Sequence, residues 1–155
     1  MTADESLRRG TTAETLAKLK PVFRQDGVIH AGNASQISDG ASAVLITTPE
    51  RAAQLGLTPL VRLHTGVVSG GCPLDMLGGP IPATQKALGR SGLSIDDIGV
   101  YEVNEAFAPV PLAWQVELGA KPERLTPLGG AISVGHPLGA SGTILTTRMI
   151  LELLS

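Results

Sequence analysis

Apolar residues fall along this chain in two kinds of block. Residues 41–48 form a short, apolar, partly β-branched run that predicts a buried strand, and residues 60–68 and 98–103 also read as strands. Residues 49–55, 80–88, 105–118 and 138–154 carry helix signals instead. Pro49 stands in the first turn of its run with Gly56 just beyond it. Gly89 and Gly92 bracket the end of the second run, and Gly119 ends the third. The last run is apolar enough to predict burial on most sides. Near the start, Thr11-Thr12-Ala13-Glu14 opens a short helical stretch with a capping-box pattern, and Pro21 stops it. Ser94-Ile95-Asp96-Asp97 is turn or capping sequence. Strands and helices that alternate at this spacing predict a layered α/β domain. The first 30 residues are polar and read as the tail of a preceding segment. The last helix reaches Ser155 with no glycine cap, no basic last turn and no strand after it. A sheet of these strands would keep an unpaired edge there, although a terminal helix is by itself an acceptable end for a domain.

Composition narrows the function classes. With 155 residues, 43% of them hydrophobic, the chain predicts one domain with a real core. Charged residues make up 17% and there are 19 glycines, which suits a compact, loop-rich protein rather than a disordered one. A formal net charge of −2 gives no electrostatic case for nucleic acid. No run is long and apolar enough to predict a membrane span or a signal core. The single cysteine excludes an internal disulfide and suits a reducing compartment, so a cytoplasmic location is expected. Three scattered histidines and that cysteine make no zinc site, and no metal is expected.

Two segments carry candidate chemistry. Gly135-His136-Pro137-Leu138-Gly139-Ala140-Ser141-Gly142 places one imidazole in a glycine-lined loop before an apolar helix. Pro137 holds His136 in extended backbone. Gly135, Gly139 and Gly142 let a ligand or another backbone approach. An imidazole is suited to take a proton from a thiol or hydroxyl near neutral pH, and the helix behind it would favour an anion alongside. A glycine-rich turn that merely contains a histidine fits the spacing equally well. A phosphate-cradling loop fits poorly, because no Gly-Lys-Ser/Thr ending is present. Asn104, in Asn104-Glu105-Ala106-Phe107, lies where a strand gives way to a helix. It is either a plain helix N-cap or a carboxamide that orients water or faces a developing oxyanion. Glu105 is a partner for the helix dipole or a holder of a neighbouring side chain. The polar loop Asn33-Ala34-Ser35-Gln36-Ile37-Ser38-Asp39-Gly40 reads as turn chemistry.

Taken together, Gly32-Asn33-Ala34-Ser35 with Ser38-Asp39-Gly40-Ala41, Asn104-Glu105-Ala106-Phe107, and Gly129-Gly130-Ala131-Ile132 with the 135–142 loop resemble the thiolase family in order and spacing. Pro80-Ile81-Pro82-Ala83 fits as well. The resemblance runs from about residue 5 to the end and corresponds to the C-terminal part of the family. It implies a layered α/β/α fold with a mixed sheet that lacks its final strands. Residues 1–30 would be the remnant of the preceding loop region, and 31–155 the C-terminal domain, truncated at its C-terminus. The implied chemistry is Claisen condensation or thiolysis of acyl groups on coenzyme A, which is a substrate, with no separate cofactor. The family's activating histidine falls on His136 and its water-holding asparagine on Asn104. Ser35 falls beside the pantetheine arm and Phe107 on the pocket wall, with Gly135 and Gly139 supporting the loop.

The resemblance also implies two cysteines, a nucleophile and a proton carrier, and this sequence has neither at the matching places. Cys72 sits in Ser69-Gly70-Gly71-Cys72-Pro73, a different loop, and is not expected to act. Three readings follow: a partial thiolase inactive alone, one chain of a split thiolase whose partner brings the N-terminal half, or a non-catalytic acyl-coenzyme A binding or scaffold protein. Self-association is expected in each case, since half of the architecture is missing.

Overall fold

A computed structural model of the chain describes residue 4 and residues 6–155. Six α-helices follow one another among the described residues: α1 (Ala13–Leu16), α2 (Pro49–Gln54), α3 (Pro80–Ser91), α4 (Pro109–Leu118), α5 (Ala131–Val134) and α6 (Ser141–Leu154). Short 3-10 turns cover Ile95–Asp97 and Pro122–Arg124.

Local chemistry sets most of the helix ends. Thr12 caps α1 and exchanges side-chain bonds with Thr15, the reciprocal box that its sequence implied. Thr48 accepts the Arg51 N–H at 3.3 Å and Pro49 opens α2. Helix α3 runs through Gly89, beyond the expected end at residue 88. It stops at Gly92, whose φ of 73° only glycine adopts readily. Gly119 closes α4 in the same way with a φ of 64°.

Two expectations about helices fail. Residues 105–108 are not helical, because their backbone is engaged elsewhere. The Ala106 carbonyl accepts from Ser35, and Ala108 N–H donates to Asn33 at 2.9 Å. Helix α4 therefore begins at Pro109. Helix α6 is not buried on most sides: its middle is half-buried and Leu151, Leu153 and Leu154 are exposed.

The strands differ more. Residues 41–48, 60–68 and 98–103 run without helix, yet no strand ladder forms among the described residues. Three isolated bridges stand in its place: Ala34 with Phe107 antiparallel, and Ile37 with His136 and Tyr101 with Leu125 parallel. A strand is completed by a neighbour's backbone, and the 41–48 and 60–68 segments have no such neighbour here. Side chains from α3 reach the second of these instead: Lys86 donates to the Val68 carbonyl at 2.8 Å and Arg90 to that of Gly66 at 2.9 Å.

The buried core is small and lies where α3 packs on α4. Tyr101, Val103, Trp114 and Ala120 form its centre, with Ile81, Ile95, Ile98, Leu118 and Leu125 against them. The Tyr101 and Trp114 rings meet edge-on, with centroids 5.2 Å apart. Both polar ends are satisfied: Trp114 Nε1 donates to Thr84 at 2.9 Å and the Tyr101 hydroxyl to the Ile95 carbonyl at 2.6 Å. This cluster anchors the 101–103 segment that leads directly into Asn104.

Candidate functional site

Three loops are tied together by backbone bonds. In the 33–38 loop, Ser35 donates both its N–H and its hydroxyl to the Ala106 carbonyl, at 3.0 and 3.1 Å. One residue on, the Gln36 carbonyl accepts the His136 N–H at 2.8 Å. The loop is thus a splint between the 104–107 segment and the 135–137 segment. His136 is extended, as Pro137 requires, and bridges Ile37. Gly135 has a φ of 89°, and a Cβ on it would overlap the Ser38 hydroxyl, so this position needs glycine twice over.

The splint brings the two candidate side chains into contact. Asn104 Nδ2 lies 3.5 Å from His136 Nε2, at the outer limit of hydrogen-bond distance. The other ring nitrogen, Nδ1, lies 2.6 Å from the Ser141 hydroxyl, which in turn is 3.0 Å from the Pro137 carbonyl. Asn104 is not a helix N-cap, since α4 starts at Pro109 behind Ala108. Its carboxamide faces the histidine instead, and its Oδ1 is buried without a partner among the described residues.

Among the described residues Glu105 holds no side chain in place and serves no helix of its own: it partners the start of a different helix. Its Oε2 accepts the Ile132 N–H at 3.1 Å and so caps α5, the short helix that ends at Gly135. A Cβ on Gly130 would overlap this carboxylate. Arg148 of α6 donates to the Leu128 carbonyl at 2.8 Å and to that of Gly129. Nearby Glu102 is pushed above the usual carboxyl range, first by burial. Arg148 opposes that rise, while Glu105 and Glu152 add to it.

Two cavities flank the loop. An open cleft of about 440 Å³ is lined by residues 38–42 and 137–140, and Gly139 belongs to its wall. A second cavity of about 10 Å³, the room that one water takes, is lined by Asn104, Ser141 and Arg148 among others. Phe107 lies at neither; its ring meets Phe23 edge-on with centroids 5.6 Å apart. Cys72 is free and exposed. Among the described residues no group of His, Cys, Asp and Glu could hold a metal ion, and no helix is long and apolar enough to cross a membrane.

Sequence reasoning singled out Asn104, His136 and Ser35, and the structure gathers them at one splinted junction. It overlooked Gln36 and Ser141. Ser141 was visible in the glycine-rich motif, but only the turn at Pro137 makes a residue five places on face the ring.

The family model described as "Thiolase, C-terminal domain" matches residues 57–155, and "Thiolase, N-terminal domain" matches residues 1–50. The chain is 51% identical over 152 residues to the "Probable acetyl-CoA acetyltransferase" of Mycobacterium tuberculosis, covering 98% of this chain and 39% of that protein. It is 47% identical to the "3-ketoacyl-CoA thiolase" of Bacillus subtilis, covering 97% and 38%. Human mitochondrial 3-ketoacyl-CoA thiolase superposes with a TM-score of 0.94 at 46% identity, covering 99% of this chain and 39% of that one. A structure of the human enzyme in complex with CoA superposes with a TM-score of 0.88 at 44% identity. The chain thus spans about 39% of the length of the curated relatives it matches.

Proposed function

The chain belongs to the thiolase family, and on that premise we propose that it supplies the histidine–asparagine part of an acyl-transfer site acting on acyl-coenzyme A or 3-ketoacyl-coenzyme A. The carrying observation is the 3.5 Å approach of Asn104 Nδ2 to His136 Nε2, made by segments far apart in sequence. Coenzyme A enters as substrate, and no separate cofactor takes part.

The roles are those the family resemblance implies, and the contact between Asn104 and His136 supports them. His136 takes the proton from a thiol nucleophile and then faces the thioester oxygen. Asn104 holds a water or donates toward the oxyanion that develops there. Ser35 stands beside the pantetheine arm, with its loop held on Ala106. The resemblance gives Phe107 a place on the pocket wall, with the Phe23 ring against it. Gly135 and Gly139 keep the histidine loop slim. The extended 41–48, 60–68 and 98–103 segments act as strands of a layered α/β/α mixed sheet whose remaining strands come from other polypeptide. Residues 1–30 serve as the end of the loop region that covers the substrate. The free thiol of Cys72 suits a cytoplasmic setting.

Residues 1–155 contain one cysteine, exposed and outside this junction, so both cysteines of the chemistry must come from polypeptide beyond these residues. The purified chain is therefore expected to show no thiolysis of a 3-ketoacyl-coenzyme A. Mixing it with the nucleophile-bearing portion and the C-terminal cysteine segment of a relative should produce turnover. His136→Ala should lower that turnover by about 10²–10⁴-fold, the usual share of a general base. Turnover by the chain alone, abolished by His136→Ala, would overturn the partial-site reading. Binding of an acyl-coenzyme A by the chain with no turnover in any mixture would favour a non-catalytic carrier.

A further inference from the structure

We propose that Ser141 is a positioning residue that fixes which nitrogen of His136 carries the ring proton, keeping it on Nδ1. The proposal rests on His136 being the site's base. Its test reads the ring rather than turnover, so the two can fail separately.

The argument starts at the small cavity behind Asn104. Two polar atoms there lack partners among the described residues: Asn104 Oδ1, an acceptor, and Arg148 Nε, a donor. Both residues line the same 10 Å³ space. An acceptor and a donor across one cavity are complementary. Turning the amide over would leave that space two unpartnered donors and no unpartnered acceptor from its lining residues. The cavity therefore favours the amide with Oδ1 unpartnered on its side and Nδ2 toward His136, the orientation the structure records.

That orientation decides the ring. Nδ2 has only protons to offer, so the Nε2 that faces it at 3.5 Å must present its lone pair. A neutral imidazole has one proton, which then sits on Nδ1. Nδ1 lies 2.6 Å from Ser141 Oγ, which can accept it. The hydroxyl donates its own hydrogen bond to the Pro137 carbonyl at 3.0 Å. Ser141 is 8% exposed, so water cannot easily replace its oxygen. Each step in this relay has a donor facing an acceptor. It leaves Nε2 unprotonated before a nucleophile arrives, the state a base must start from.

The test is nitrogen-15 NMR of the ring in the 155-residue chain at about pH 8.5, roughly two units above an ordinary imidazole pKa. His136→Gln assigns the signals. In the wild type, Nδ1 should carry the proton and Nε2 should show the far-downfield shift of a bare ring nitrogen. Ser141→Ala should lower the Nδ1–H to Nε2–H ratio by roughly three- to tenfold, the span of one hydrogen bond's net strength. Ser141→Thr, which keeps the hydroxyl, should restore it. A wild-type ring protonated on Nε2, or a ratio unmoved by Ser141→Ala in a chain whose amide spectrum shows it folded, overturns the proposal. Should Ser141→Ala not fold, Ser141→Cys replaces the hydroxyl with a weaker acceptor. A fallen ratio then supports the relay and an unchanged one ends it.

Discussion

Gly130 and Glu105 sit so close that a Cβ on the glycine would overlap the carboxylate. The overlap is with the end of a flexible side chain, so Gly130→Ala need not break the fold. It must, however, push Glu105 off the Ile132 N–H. Its cost should therefore be that of one lost cap, about 1 kcal/mol. Glu105→Ala should cost about the same. Because both changes remove one interaction, the double variant should cost well under the sum, a coupling that separate sites would not show. Denaturant midpoints of the four chains check this, and strict additivity would refute the shared cap. Single residues were also where sequence reading reached furthest. It found His136 and Asn104 because a histidine before proline and a carboxamide at a segment junction are locally visible features. It left Asn104 between cap and site, since the deciding fact lies outside its neighbourhood: the loop at Asn33 and Ser35 claims the backbone of residues 106–108.

At the scale of elements, most helix ends were legible and strand pairing was not, for one reason. Thr48 with Pro49, Gly92 and Gly119 act within a turn of themselves, so their meaning is written locally. A strand needs a partner, and the apolar runs at 41–48 and 60–68 record an affinity for one without supplying it. The contact between the 98–103 segment and α6 was equally hidden, and it carries a pH prediction. Glu102 Oε2 and Arg148 Nε are both buried without hydrogen-bond partners among the described residues. Burial raises the Glu102 carboxyl above its usual range, against the pull of Arg148. A carboxyl with a raised folded pKa binds more protons folded than unfolded, so its contribution is present at low pH and is lost as pH climbs through the folded value. Glu102→Gln lacks that loss. The difference in melting temperature, variant minus wild type, should grow between about pH 4 and pH 8, the window that brackets an ordinary carboxyl and a raised one. Any constant offset from leaving Arg148 unmatched cancels in that comparison. A difference that stays flat, or shrinks, would show that the fold does not raise the Glu102 carboxyl.

The whole molecule exposes 11039 Å². A compact monomer of 16.0 kDa would expose roughly 7,400 Å². The excess, roughly 3,600 Å² on this chain alone, exceeds one partner's share of most obligate interfaces, which bury about 2,000–5,000 Å² counted over both partners. Much of it is apolar and sits on the segments that failed to form strands: Leu45 is 77% exposed, Leu63 73% and Val68 88%. No described side chain is fully buried, and the one buried apolar cluster among the described residues is the small one around Trp114. Such a surface is expected to self-associate in water, because each apolar patch removed from solvent is worth about 25 cal/mol per Å². Sedimentation of the isolated chain should show species larger than a monomer that grow with concentration. A dye that fluoresces on apolar surface should bind it, and its melt should be broad. The same reasoning predicts a remedy. Polypeptide that completes the sheet should compete for that surface, so adding the N-terminal portion of a relative should quench the dye and sharpen the melt. A strictly monomeric chain with a sharp two-state melt and no dye binding would mean that these apolar segments find cover within residues 1–155 themselves.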